Sequence, residues 1–167
     1  MIYERPGVDV PIDQGDLIDA CPLVRIEKLQ ADLRQPENVD LHWRLVIVLT
    51  QTCDLANEKC IDANVAEVFE AQRLVDQGTL KPADIKGPLR AGRIWGWYFL
   101  PAAADLGLPE MIVDMRRLHT VPLDLLRTLR RAGQRKARVQ PLYREHLAKH
   151  FADTFSRIGL PRPYETM

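Results

Sequence analysis

Short apolar runs alternate with turn-forming residues up to about residue 120, after which the pattern changes. Residues 1–14 hold Pro6, Gly7 and Pro11 and read as an irregular arm. Gly15-Asp16 then opens Leu17 to Ile26, two β-prone pieces broken at Pro22, which cannot donate to a ladder and marks an edge or a bend. Residues 28–42 are polar, with Pro36 and Asn38, and read as a loop or one poor helical turn. The clearest strand is Arg44 to Gln51, whose core Leu45-Val46-Ile47-Val48-Leu49 has the continuous apolar character of a strand covered on both faces. Val65 to Ala71 resumes the strand pattern with acids interleaved, and residues 75–92, rich in glycine and proline, read as an excursion that a helix occupies only briefly. Arg93 to Leu100 is aromatic and strand-like, and Met111 to Met115 is a further strand. Short strands between Gly/Pro loops, with no alternating helices, predict an antiparallel sheet curled into a small barrel.

Two helices close the pattern. Pro122 suits a first helical turn, Asp124 favours its positive end, and Leu125, Leu126 and Leu129 form a stripe that Gly133 stops. A second helix starts at Pro141 and spaces Leu142/Tyr143, Leu147, Phe151, Phe155 and Ile158 along one face, with Gly159 as its cap and Pro161 beyond. The expectation is one mainly β domain of the α+β class over 1–167, a barrel at 15–120 clasped by helices at 121–160.

Composition narrows the class. Apolar residues make up 46% and charged residues 28%, ordinary for a globular protein. The longest apolar run, Leu45–Leu49, falls far short of the roughly 20 residues of a membrane span. No basic-then-apolar leader opens the sequence, and the three cysteines Cys21, Cys53 and Cys60 fit a reducing compartment, so a cytoplasmic protein without a membrane partner is expected. The net charge of zero conceals a division: residues 1–115 carry 11 Lys/Arg against 19 Asp/Glu, and residues 116–150 carry 10 against 2. Arg127, Arg130, Arg131, Arg135, Lys136 and Arg138 straddle Gly133 and are the candidate nucleic-acid contacts, the alternative being that they neutralise the acidic body.

Candidate chemistry gathers at strand ends. Thr50-Gln51-Thr52-Cys53-Asp54 follows the buried strand, and Cys53 becomes a nucleophile only with a histidine to take its proton, for which His119 is the candidate. Cys53 and Cys60 are too widely spaced for a common zinc knuckle. His146 and His150 share a helical face with Leu147 and Phe151 and read as structural. No metal and no cofactor is expected. Trp95 and Trp97 read as core rather than as a base-stacking platform.

Gly15-Asp16-Leu17 opening one strand and Arg44-Leu45-Val46-Ile47-Val48-Leu49 forming the next resemble plasmid-maintenance toxins of the PemK/MazF type over roughly residues 15–75. The resemblance implies an SH3-like barrel that cleaves RNA and is restrained by an antitoxin. It places the family arginine on Arg44 and the family threonine on Glu70, ahead of Ala71-Gln72. The set Thr50 to Leu55, Tyr98 to Pro101, Arg117 to Pro122 and Arg157 to Pro161 also resembles an uncharacterised bacterial group, which implies a mobile-element or defence-type context. Three readings follow. An RNA-binding barrel with ribonuclease activity would use Arg44, Asp54, Glu70 and His119. A non-enzymatic module would dock a partner protein, with Asp54 in a structural turn. A thiol enzyme would use Cys53 and His119.

Overall fold

The computed structural model describes residues 2–156 apart from 32 and 58. The strands are β1 (Tyr3–Glu4), β2 (Asp16–Leu29), β3 (Pro36–Val48), β4 (Asp62–Glu70), β5 (Trp97–Leu100), β6 (Met111–Pro122) and β7 (Arg135–Val139). They form one antiparallel sheet in the order β1-β7-β2-β3-β4-β6-β5. The helices are α1 (Thr52–Ala56), α2 (Ala71–Asp76), α3 (Pro82–Asp84) with a π-helical turn over Ile85–Leu89, α4 (Leu123–Arg131) and α5 (Pro141–Phe155). The fold is therefore mixed α+β. No helix among the described residues is long and apolar enough to cross a membrane.

The expected closed barrel is an open, curled sheet instead. Bulges near Asp19–Ala20 and within β6 bend it, and the Tyr3 hydroxyl on β1 reaches the Pro101 carbonyl just past β5 at 2.8 Å. Among the described residues no ladder joins β1 to β5, and Tyr3 links the two edges.

Alternation along β3 and β4 splits the core. Leu17, Ile47, Ala66, Val68 and Val113 point to one face, where Leu147 of α5 covers them. Val46, Val48, Ala63 and Val65 point to the other, beneath Leu123 and Leu126 of α4. A third cluster packs α2 and the π-helical turn on Trp97 and Ile112. Each fully buried Leu or Ile contributes roughly 1.5–3 kcal/mol by leaving water.

Two sequence expectations are corrected. The expected loop at 28–42 shrinks to the connection between Leu29 and Pro36: β2 and β3 continue as a hairpin arm, with Val24 opposite Leu41 and Ile26 opposite Val39, because their apolar positions recur every second residue. The segment after Gly133 is a strand, β7, inserted between β1 and β2. Its charged residues tolerate burial because Asp16 lies opposite Arg138. The cap expected at Gly159, with Ile158 and the Arg157 to Pro161 motif, lies outside the described residues.

Candidate functional site

The two faces of β4 carry different chemistry along its length. Ala63 and Val65 are buried, but the next residue on that face is Glu67, whose side chain is only 4% exposed. Directly opposite on β6 is Asp114, also buried. Two carboxylates side by side repel each other, so cations must gather around them. The β6 bulge supplies two: the register runs from Ala66↔Leu118 to Glu67↔Asp114, leaving Arg116 and Arg117 unpaired and exposed.

Arg116 grips Asp114 with two bonds, Nε–H to Oδ1 at 2.8 Å and Nη2–H to Oδ2 at 3.0 Å, and its Cζ lies 4.0 Å above the Trp97 ring. The Asp114 hydrogen bond, working against burial, raises the Arg116 pKa further. Arg117 bridges the acids, with Nη1 3.7 Å from Glu67 and Nε 3.6 Å from Asp114, and lies over Phe69. Arg44 approaches from β3, Nε 3.4 Å from Glu67 Oε2. His119 Nε2 lies 3.0 Å from Glu67 Oε1. Arg44 Nε and Glu67 Oε2 are nonetheless buried without a hydrogen-bond partner among the described residues. The floor thus holds a carboxylate oxygen whose bonding is incomplete.

Above this floor lies a cleft of about 860 Å³. It opens because β3 and β4 part company: their register ends at Leu45↔Val68, after which β3 follows β2 into the arm and β4 follows β6. Trp43 and Arg44 form one wall, Phe69, Glu70 and Arg73 the other, and Arg116 and Arg117 stand beside Asp114.

Of the candidate catalytic residues, Arg44 and Glu70 line this cleft and His119 joins it through Glu67. Cys53 and Asp54 stand apart on α1. Cys53 is exposed, its Sγ 3.6 Å from Gln51 Oε1 and 3.8 Å from Asp54 Oδ1, while the His119 imidazole is engaged by Glu67. The strand-end motif has architectural work: Thr50 Oγ1 accepts the Asn64 N–H at 2.7 Å, and Gly15 N–H and Gln14 Nε2 donate to the Val48 and Leu49 carbonyls.

Of the six candidate nucleic-acid contacts, Arg135 and Arg138 turn inward, while Arg131 stays exposed and Arg127 and Lys136 remain partly so. Arg138 and Arg135, 8% and 4% exposed, bind Asp16, Arg135 also holds the Gly7, Val10 and Pro11 carbonyls, and Arg138 holds that of Pro11. Arg130 donates to Val10, Arg127 to Asp124 and Arg131 to Thr128, and Lys136 pairs with Asp19. Arg130, Arg135 and Arg138 pin the N-terminal arm, because its carbonyls and Asp16 lie within reach, whereas Arg127 and Arg131 bond within α4. Lys136, at the cleft wall, is the one of the six that lines the main cleft. Asp13 belongs to the same network: burial would raise its pKa, but Thr52, the Gln14 N–H, Arg144 and Arg138 hold it below the usual range.

His146 and His150 pack around Tyr98. His150 is buried, stacked on Trp95 with centroids 5.7 Å apart, and His146 Nδ1 lies 3.1 Å from the Tyr98 hydroxyl. Glu67, Asp114 and the Arg116-Arg117 bulge escaped the sequence reading. Their signal was present as a lone acid in each of two apolar runs, Val65-Ala66-Glu67-Val68-Phe69 and Ile112-Val113-Asp114-Met115. No protein-family model and no curated protein matches this sequence.

Proposed function

We propose that the cleft binds single-stranded RNA and that the curled sheet is an SH3-like barrel left open on one side. The observation that carries this reading is the grouping of Arg44, Arg73, Arg116 and Arg117 at one concave site beside the exposed Trp43 ring. Guanidinium groups match phosphate geometry, and an exposed indole stacks on any base. Arg116 and Arg117 are preset for this task by Asp114 and Glu67, so little of their side-chain freedom is lost on binding.

The same floor supports phosphodiester cleavage. In this reading His119, held at Nε2 by Glu67, takes the proton of the RNA 2′-hydroxyl as that oxygen attacks the phosphorus, and a proton passes to the 5′-oxygen whose bond to phosphorus breaks. Arg44 stabilises the charge that develops on the phosphoryl oxygens, and Glu70 stands on the cleft wall as a second acid. The bacterial toxin or defence-type context rests on the family resemblances alone, and a cytoplasmic setting on the three sparse cysteines. A partner protein in place of RNA is the second reading.

Binding of a labelled single-stranded RNA tests the proposal. Three to four phosphate contacts give a log–log salt slope of about −2 to −3. Arg117→Ala weakens binding, and His119→Ala abolishes cleavage while leaving binding in place. Absence of binding at low salt rejects the RNA reading.

A further inference from the structure

The hairpin arm carries a surface that the other described residues leave bare. Three cross-strand pairs, Pro22–Trp43, Val24–Leu41 and Ile26–Val39, fall on one face by strand alternation. Val24 is 61% exposed, Ile26 58% and Trp43 60%, with Val39 and Leu41 about half exposed. The other face carries the Arg25–Asp40 pair, with His42 on Asp40 at 3.0 Å. The arm is thus an amphipathic ribbon with its apolar side in water. A two-stranded ribbon is marginal alone and gains its stability from something laid across that side.

We propose that this face packs on the same face of a second copy of the chain, the two ribbons stacking as layers roughly 10 Å apart. Two observations select this occupant. The exposed side chains offer roughly 400 Å² of apolar surface per copy. Two such faces bury at most roughly 800 Å² in all, the size of a weak, reversible interface. The three cross-strand pairs bear no charge, and the chain balances 23 cations with 23 anions, so two copies meet without net repulsion. A two-fold axis sets each residue of the patch against the patch itself, which an all-apolar surface satisfies. This packing and RNA binding compete for the Trp43 ring, which stands at the boundary of patch and cleft, so the oligomeric state is measured without RNA.

Sedimentation across a concentration series tests it. The expected mass is twice the 19.1 kDa of one chain. Ile26→Lys and, separately, Val39→Lys alter exposed side chains, so circular dichroism stays native. Each places an ammonium in the interface and raises the dimer dissociation constant by at least about tenfold. Tryptophan emission moves to the blue with concentration in the wild type, through burial of Trp43, and does not move in Ile26→Lys. A wild-type monomer at ~100 μM, the result expected if a different protein covers the face, overturns the proposal. So does a dimer that both substitutions leave intact.

Discussion

Replacing Asp16 with alanine removes the centre of the network that ties β2 to β7. The Asp16 side chain is fully buried and accepts Arg138 Nε–H at 2.6 Å, Arg138 Nη2–H at 2.9 Å, Arg135 Nη1–H at 3.2 Å and the Asp13 N–H at 3.0 Å. Without it two guanidinium groups remain out of water, with Asp13, 3.8 Å from Arg138, as the nearest remaining acid. Breaking a buried pair from one side costs about 3–5 kcal/mol, a large part of the 5–15 kcal/mol that stabilises a typical domain. At about 2–4 °C per kcal/mol for a chain of this size, the melting temperature falls by roughly 6–20 °C. Urea unfolding followed by circular dichroism measures the loss. The combination Asp16→Leu with Arg138→Met loses less than Asp16→Ala alone, because an apolar pair leaves no charge stranded at position 138. A loss below about 1 kcal/mol for Asp16→Ala, the size of an exposed ion pair, would refute the argument that these charges are held out of solvent.

Three further outcomes are expected. Gly96 has φ +80° and a Cβ there would sit 3.0 Å from Arg116 Cγ, so Gly96→Ala strains the backbone by about 1–3 kcal/mol and lifts Arg116 off Trp97; unchanged urea stability and unchanged RNA affinity would contradict this. Burial, reinforced by His146, holds the His150 pKa below its ordinary value, so the unfolded chain takes up this proton first. The stability it protects is therefore full above about pH 6.5 and declines as pH falls toward the depressed folded value; His150→Phe flattens that decline, and identical pH slopes for both proteins would count against it. Burial pushes the Cys21 thiol up to about 11, while Cys53 is exposed, so a thiol reagent labels Cys53 in the native protein and Cys21 only after unfolding; equal rates at both would show the core to be open.

Local pattern carried the strands around residues 44–49, 65–70, 97–100 and 111–115, each a short apolar or β-branched run, and the helix that Pro141 opens, although Leu142, Tyr143 and Phe155 of its expected apolar face lie exposed. The arm was missed because Pro36, Asn38 and Asp40 gave residues 28–42 a polar average that hid the alternation of Val39, Leu41 and Trp43. Strand β7 was missed for a different reason: the burial of Arg135 and Arg138 depends on Asp16, more than 100 residues away, which no local window contains. The same non-locality separates the two halves of the site. Arg44 and Glu70 were singled out only through the family resemblance, whereas Glu67 and Asp114 acquire meaning only when β4 and β6 stand side by side. Cys53, conspicuous beside its polar neighbours, belongs to a strand-end structure held by backbone bonds.

The insertion of β7 between β1 and β2 has a consequence for how the molecule is made. Asp16 and Leu17 find their partners on that side only once Ala137 and Arg138 have left the ribosome, and β1 has its register with β7 alone. β2 has β3 as an early partner, whereas its other edge and β1 wait for β7, a pairing that closes the longest loop in the sheet.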